Sequence, residues 1–134
     1  MMDEKNLNKE LIIRNWLESS EDDFNTMINL YNSKDYHWSL FIGHLIIEKM
    51  LKALYVRNLH IHPPFTHDLL RLVNMIGLVI SKEQEEIFDR ITSFNINARY
   101  DDYKQGLKKI CTKEFTEEWL NKIKDMKKWL TNQF

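Results

Sequence analysis

The chain has 134 residues, 43% of them hydrophobic and 12% aromatic, enough to bury a core without disulfides or structural metal. Three glycines and two adjacent prolines exclude an architecture of many short strands, which needs turn residues at frequent intervals. A formal net charge of −1 excludes a general basic field, and the charge is distributed unevenly. Residues 1–35 carry four bases against eight acids, whereas residues 104–134 carry eight lysines against four acids. Either the first and last helices attract one another, or the tail faces RNA.

The single cysteine, Cys111, excludes an intrachain disulfide and fits a reducing cytoplasm. The first residues, Met1-Met2-Asp3-Glu4, lack the basic-then-apolar layout of a signal peptide. No apolar run reaches the roughly 20 residues of a membrane span. The expectation is a soluble cytoplasmic protein forming one domain over residues 1–134, with no membrane association.

From about Leu7 to Ser33, Ile13, Trp16, Leu17, Phe24, Met27, Ile28 and Tyr31 recur at helical spacing, with acids on the outer face. The second segment, Tyr36 to about Asn58, is apolar nearly all round, which predicts the central helix of a bundle. Pro63-Pro64 stop helical structure in residues 59–65. Thr66 is read as the cap of a short third helix, Thr66 to Ile76, with Gly77 as its stop. Ser81 and Gln84 form a capping box for a fourth helix, with Ile87, Phe88, Ile91, Phe94 and Ala98 inward. Residues 99–111 are polar and aromatic, and Thr112 or Thr116 starts a last helix with Phe115, Trp119, Ile123, Met126 and Leu130 on one face. The fold predicted is all-α, an up-and-down antiparallel bundle of about five helices.

On the central helix His44, Glu48 and Lys52 stand at i, i+4 and i+8, one polar stripe on an otherwise apolar cylinder, with Lys49 beside them. Such a stripe either lines a cleft or is satisfied internally, because unpaired burial is costly. Arg99, Tyr100 and Tyr103 cluster near a helix end. The arginine could hold a phosphate while the tyrosines stack on a base, or it could pair with a carboxylate such as Glu48. The five histidines lack the spacing of a closed metal site, so neither metal nor cofactor is expected. Cys111 has no histidine after it in the chain and reads as an inert thiol.

Three blocks carry a family likeness. The stretch His44 to Leu54, containing Glu48-Lys49 and Leu51-Lys52-Ala53, resembles the central-helix signature of HEPN domains (higher eukaryotes and prokaryotes nucleotide-binding). Thr66-His67-Asp68-Leu69 resembles the start of that family's third helix, and Ala98-Arg99-Tyr100-Asp101 its segment after the fourth. The last of these is similar to the prokaryotic subgroup often found beside minimal nucleotidyltransferases. The resemblance implies a homodimer, a toxin–antitoxin-like pairing with a nucleotidyltransferase, and nucleotide or RNA as ligand. The polar stripe, the Arg99 cluster and these blocks together make Arg99, Tyr100, Tyr103, Lys49, Lys52, Glu48, His44 and His67 the candidate ligand-binding residues.

Cleaving members of the family use Arg followed four to six residues later by His near a late helix. Here the last histidine is His67, so the segment around Arg99 cannot contain that motif. Arg57 and His62 match it formally, but just before Pro63 and in the wrong place. The expected role is therefore non-catalytic or regulatory. The alternatives are a metal-independent ribonuclease with an atypical site and a stand-alone nucleotide-binding module.

Overall fold

The computed structural model describes residues 8–99 and 101–134, with the side chains of 101–105 not described. Among the described residues six helices run in chain order: α1 (Lys9–Asn32), α2 (Tyr36–Leu59), α3 (Leu69–Ile76), α4 (Lys82–Arg99), α5 (Asp101–Ile110) and α6 (Lys113–Thr131). The architecture is the all-α bundle that the apolar periodicity predicts. It has one helix more than expected, because residues 101–110 form α5. That helix has few apolar residues of its own, and Leu107 and neighbouring Cys111 fix its end by entering the core. Among the described residues no helix is long and apolar enough to cross a membrane.

Local chemistry sets the boundaries. Asn8 accepts from Leu11 N at 3.1 Å and caps α1. The turn into α2 is three residues long, with Lys34 left-handed at φ 67°. Leu59 ends α2, and His60 follows in the left-handed region with its N–H on Val56 O at 2.9 Å. The third helix starts later than Thr66. Asp68 is its cap, accepting from Arg71 N at 3.3 Å, while Thr66 Oγ1 accepts from Asp68 N at 3.1 Å. A carboxylate outcompetes a hydroxyl for the first free N–H groups of the helix. Gly77 stops α3 at φ 86°. The capping box before α4 forms in both directions, Gln84 N to Ser81 Oγ at 3.1 Å and Ser81 N to Gln84 Oε1 at 2.9 Å. Thr112 caps α6.

Helix α2 touches each of the other five helices. Leu40, Ile46, Ile47, Leu51 and Leu54 on it are fully buried, which explains why apolar residues surround it on all sides. Ser20 and Ser39 stitch it to α1 through buried bonds to Ile46 O (3.0 Å) and Met27 O (2.8 Å). On another face the ring of Phe94 meets Trp119 edge-on at 5.5 Å, joining α4 to α6.

The acidic first helix and the basic last one are intramolecular neighbours. Lys127 Nζ lies 3.0 Å from Glu21 Oε1 and 5.1 Å from the Phe24 ring centre. Tyr31 donates its hydroxyl hydrogen to Glu117, which raises the Tyr31 pKa to about 12. These contacts lie at the surface, where water screens them, so they align the helices more than they stabilise them.

Close approach of α6 to α2 depends on Gly43. A Cβ there would lie 2.5 Å from Ile123 Cδ1 and 3.3 Å from Met27 Sδ, and Ile123 is fully buried. Alanine gains about 1 kcal/mol of helix propensity but overpacks the site by about 1–3 kcal/mol. Gly43→Ala is therefore expected to lower stability in urea unfolding. Adding Ile123→Val removes the clashing methyl, so the double variant should lose less than the two single losses combined. Strict additivity would mean that the glycine is not there to admit Ile123.

Candidate functional site

The polar stripe of α2 is buried and internally bonded. His44 is fully buried, and Glu48 and Lys52 are 5% and 7% exposed. Across from them lie His67, just before α3, and Asn95 and Arg99 on α4. The sequence placed His44, Glu48, Lys52, His67 and Arg99 among the candidates, and one connected network holds all five.

The network can be followed by donor and acceptor. Glu48 Oε2 accepts from Lys52 Nζ at 2.8 Å, and Oε1 accepts from His67 Nδ1 at 2.8 Å. Burial works against a charged Glu48, but the bonds from Lys52 and His67 outweigh it and hold its carboxyl below the usual range. His44 Nε2 lies 2.8 Å from the backbone oxygen of His67, which can only accept, so Nε2 carries the hydrogen. Burial pushes His44 below the ordinary imidazole range, so its ring is neutral and Nδ1 is an acceptor. Asn95 Nδ2 donates to that Nδ1 at 3.3 Å, and Asn95 Oδ1 accepts from Arg99 Nη1 at 3.2 Å. The 3.7 Å between His44 Nδ1 and Glu48 Oε1 is then an approach of two acceptors, not an ion pair.

Residue 67 is thus clamped twice to α2, once through its ring and once through its carbonyl. Leu69 N adds a bond to Thr92 Oγ1 at 3.2 Å, tying the start of α3 to α4. The His67 side chain is 38% exposed, and its ring packs at 5.8 Å from Phe65, which stands 93% exposed on the preceding loop. Lys52 Nζ also lies 5.5 Å from the Trp16 ring centre. The outer end of the network is therefore bordered by aromatic rings.

The remaining candidates are placed elsewhere. Lys49 turns toward α1, where it meets Asp23 Oδ2 at 2.6 Å and Ser19 Oγ at 2.7 Å. The suggested Arg99–Glu48 pairing is replaced by Arg99–Asn95, because both Glu48 oxygens are engaged by Lys52 and His67. Tyr100 and the side chain of Tyr103 lie outside the described residues. Arg57 and His62 are exposed at the end of α2 and in the loop beyond it, and Arg57 reaches its neighbour Asn58. Burial raises the Cys111 thiol to about 11, as expected of an unreactive sulfur. Among the described residues no group of His, Cys, Asp and Glu is arranged to hold a metal ion.

Asn95 is the member that sequence reasoning missed. It sits four residues after Ile91 and one after Phe94, on the inward stripe of α4. A polar residue at an apolar register position was the available signal.

The HEPN domain family matches residues 13–133, nearly the whole chain, and the protein belongs to that family. The fold is also that of the crystal structure of TT1696 from Thermus thermophilus, with a TM-score of 0.77 at 19% identity. That match covers 91% of this chain and 98% of the other. No curated protein matches significantly.

The network makes stability depend on pH with a defined sign. Below about pH 6.5 the unfolded chain binds a proton at residue 44 that the folded chain resists, so stability falls as pH drops from there toward the lowered folded value. Glu48 adds a second loss below about pH 4.3, as pH falls toward its own lowered folded value. Urea midpoints between about pH 5 and about pH 8 should therefore decline toward acid, and His44→Gln should flatten that decline. An unchanged slope would show that His44 is not buried neutral. Glu48→Ala, which strands buried Lys52, is expected to cost about 3 kcal/mol in the same assay.

Proposed function

We propose that this HEPN protein works by binding rather than by cleaving. In this reading it is a regulatory homodimer that partners a nucleotidyltransferase in a toxin–antitoxin-like pair. Its ligand, nucleotide or RNA, would be held by a phosphate at Arg99. The observation that supports it is the state of the histidine linked to Arg99: His44 is buried, and both of its ring nitrogens are bonded. A general base needs an accessible lone pair, and His44 has spent its own on Asn95. The guanidinium of Arg99 is suited to a phosphate by its planar fork of donors.

A second reading has one observation in its favour. His67 is part-exposed, and a buried carboxylate holds its Nδ1, the arrangement by which enzymes fix an imidazole for proton transfer. This is the metal-independent ribonuclease with an atypical site.

Co-expression with the product of the neighbouring gene tests the first reading, which expects that product to be a nucleotidyltransferase forming a stable complex, and no RNA breakdown by the purified chain. A chain that runs as a monomer and captures no such partner would sink it. RNA breakdown abolished by His67→Gln, with Arg99→Ala also impaired, would establish the second reading. Activity that persists in both of these variants and in His62→Ala would come from a contaminant.

A further inference from the structure

The network has a directional order that follows from what each atom can donate or accept. Starting from the backbone carbonyl of His67, the hydrogen must sit on His44 Nε2. Neutral His44 then offers a lone pair at Nδ1, and only a donor can face it. That fixes the Asn95 amide with its nitrogen toward His44 and its oxygen toward α4's last turn, where Arg99 Nη1 donates to it. Asn95 is 2% exposed, so its amide lies out of bulk solvent. Each member has one allowed orientation because the member before it has one.

Polar groups face His44 from each element packed on it. Glu48 and Lys52 lie on its own helix and satisfy one another, His67 approaches from the loop before α3, and Asn95 and Arg99 approach from α4. None of the others replaces the Asn95 amide at His44 Nδ1.

We propose that Asn95 and His44 are positioning residues that aim the Arg99 guanidinium at a phosphate-bearing ligand. The inference rests on the binding role of Arg99 proposed above and names what orients that side chain. An arginine ordinarily gives up much rotamer freedom when it grips an anion. Here one Nη1–H is held beforehand by a buried amide, so part of that ordering precedes binding. The amide is held in turn by a neutral imidazole anchored to a backbone carbonyl.

Inorganic pyrophosphate, titrated by calorimetry, is a suitable probe. It should bind the wild-type chain, lose measurable binding in Arg99→Ala, and bind about two- to tenfold more weakly to Asn95→Ala, the cost of ordering one long side chain at the moment of binding. Nitrogen-15 spectra of the histidine rings supply a readout that does not depend on the ligand. His44 should show hydrogen on Nε2 alone in the wild type, and Asn95→Asp should bring hydrogen onto Nδ1, because the new carboxylate can only accept.

The outcomes separate. If Arg99→Ala binds like wild type, or the wild type does not bind, the anion site itself is wrong and the positioning role falls with it. If Arg99→Ala loses binding while Asn95→Ala keeps it, the site stands and the positioning role is refuted. A wild-type His44 carrying hydrogen on Nδ1 overturns the relay even where an Asn95 variant does not fold.

Discussion

A carboxylate charge inside the central helix of a bundle must be compensated on both oxygens, and Glu48 is in that position. Moving such a charge out of water costs several kcal/mol, which only good geometry recovers. Lys52, one turn further along α2, occupies one oxygen and His67 the other. The second of these bonds crosses to a different part of the chain. It fixes where the loop after α2 must return, and so where α3 begins.

The consequences extend outward from that anchor. With the His67 ring on Glu48, its carbonyl meets His44 one turn back on α2, and that bond fixes the tautomer of a buried neutral imidazole. Asn95 follows from His44, and the register of α4 against α2 follows from Asn95. Apolar packing would tolerate some sliding of these helices, since hydrophobic contact has no direction. Polar groups with one permitted partner do not slide. The network specifies alignment, while the apolar burial that drives folding comes from the wider core, of which fully buried Ile47, Leu51 and Phe88 are part.

Much of this was legible in the residues. The all-round apolarity of Tyr36 to Asn58 identified the central helix, and the scarcity of glycine and proline the fold class. The capping box at Ser81 and Gln84 located α4. The i, i+4, i+8 stripe of His44, Glu48 and Lys52 was visible as an anomaly, but its resolution was not, because a stripe of spacing three or four carries no information about what faces it. His67 and Arg99 were singled out by family likeness, and it took tertiary packing to bring them into one network. Asn95 escaped because it occupies an apolar register position. The start of α3 was misplaced by two strong cap residues, Thr66 and Asp68, standing close together. Helix α5 was missed although Tyr103, Leu107 and Ile110 stand at i, i+4 and i+7, because three apolar positions in ten residues make only a short stripe.

Membership in the HEPN family and the bundle fold stand on the match over residues 13–133. The arrangement of the site depends on the His67–Glu48 contact, in which a buried carboxylate is held by a part-exposed imidazole. A double-mutant cycle with Glu48→Gln and His67→Gln, read by urea unfolding near neutral pH, measures that contact most directly. Each single change should be destabilising, and the two should be coupled by about 1 kcal/mol or more. Additive losses, with no coupling between the two positions, would contradict an obligatory pair.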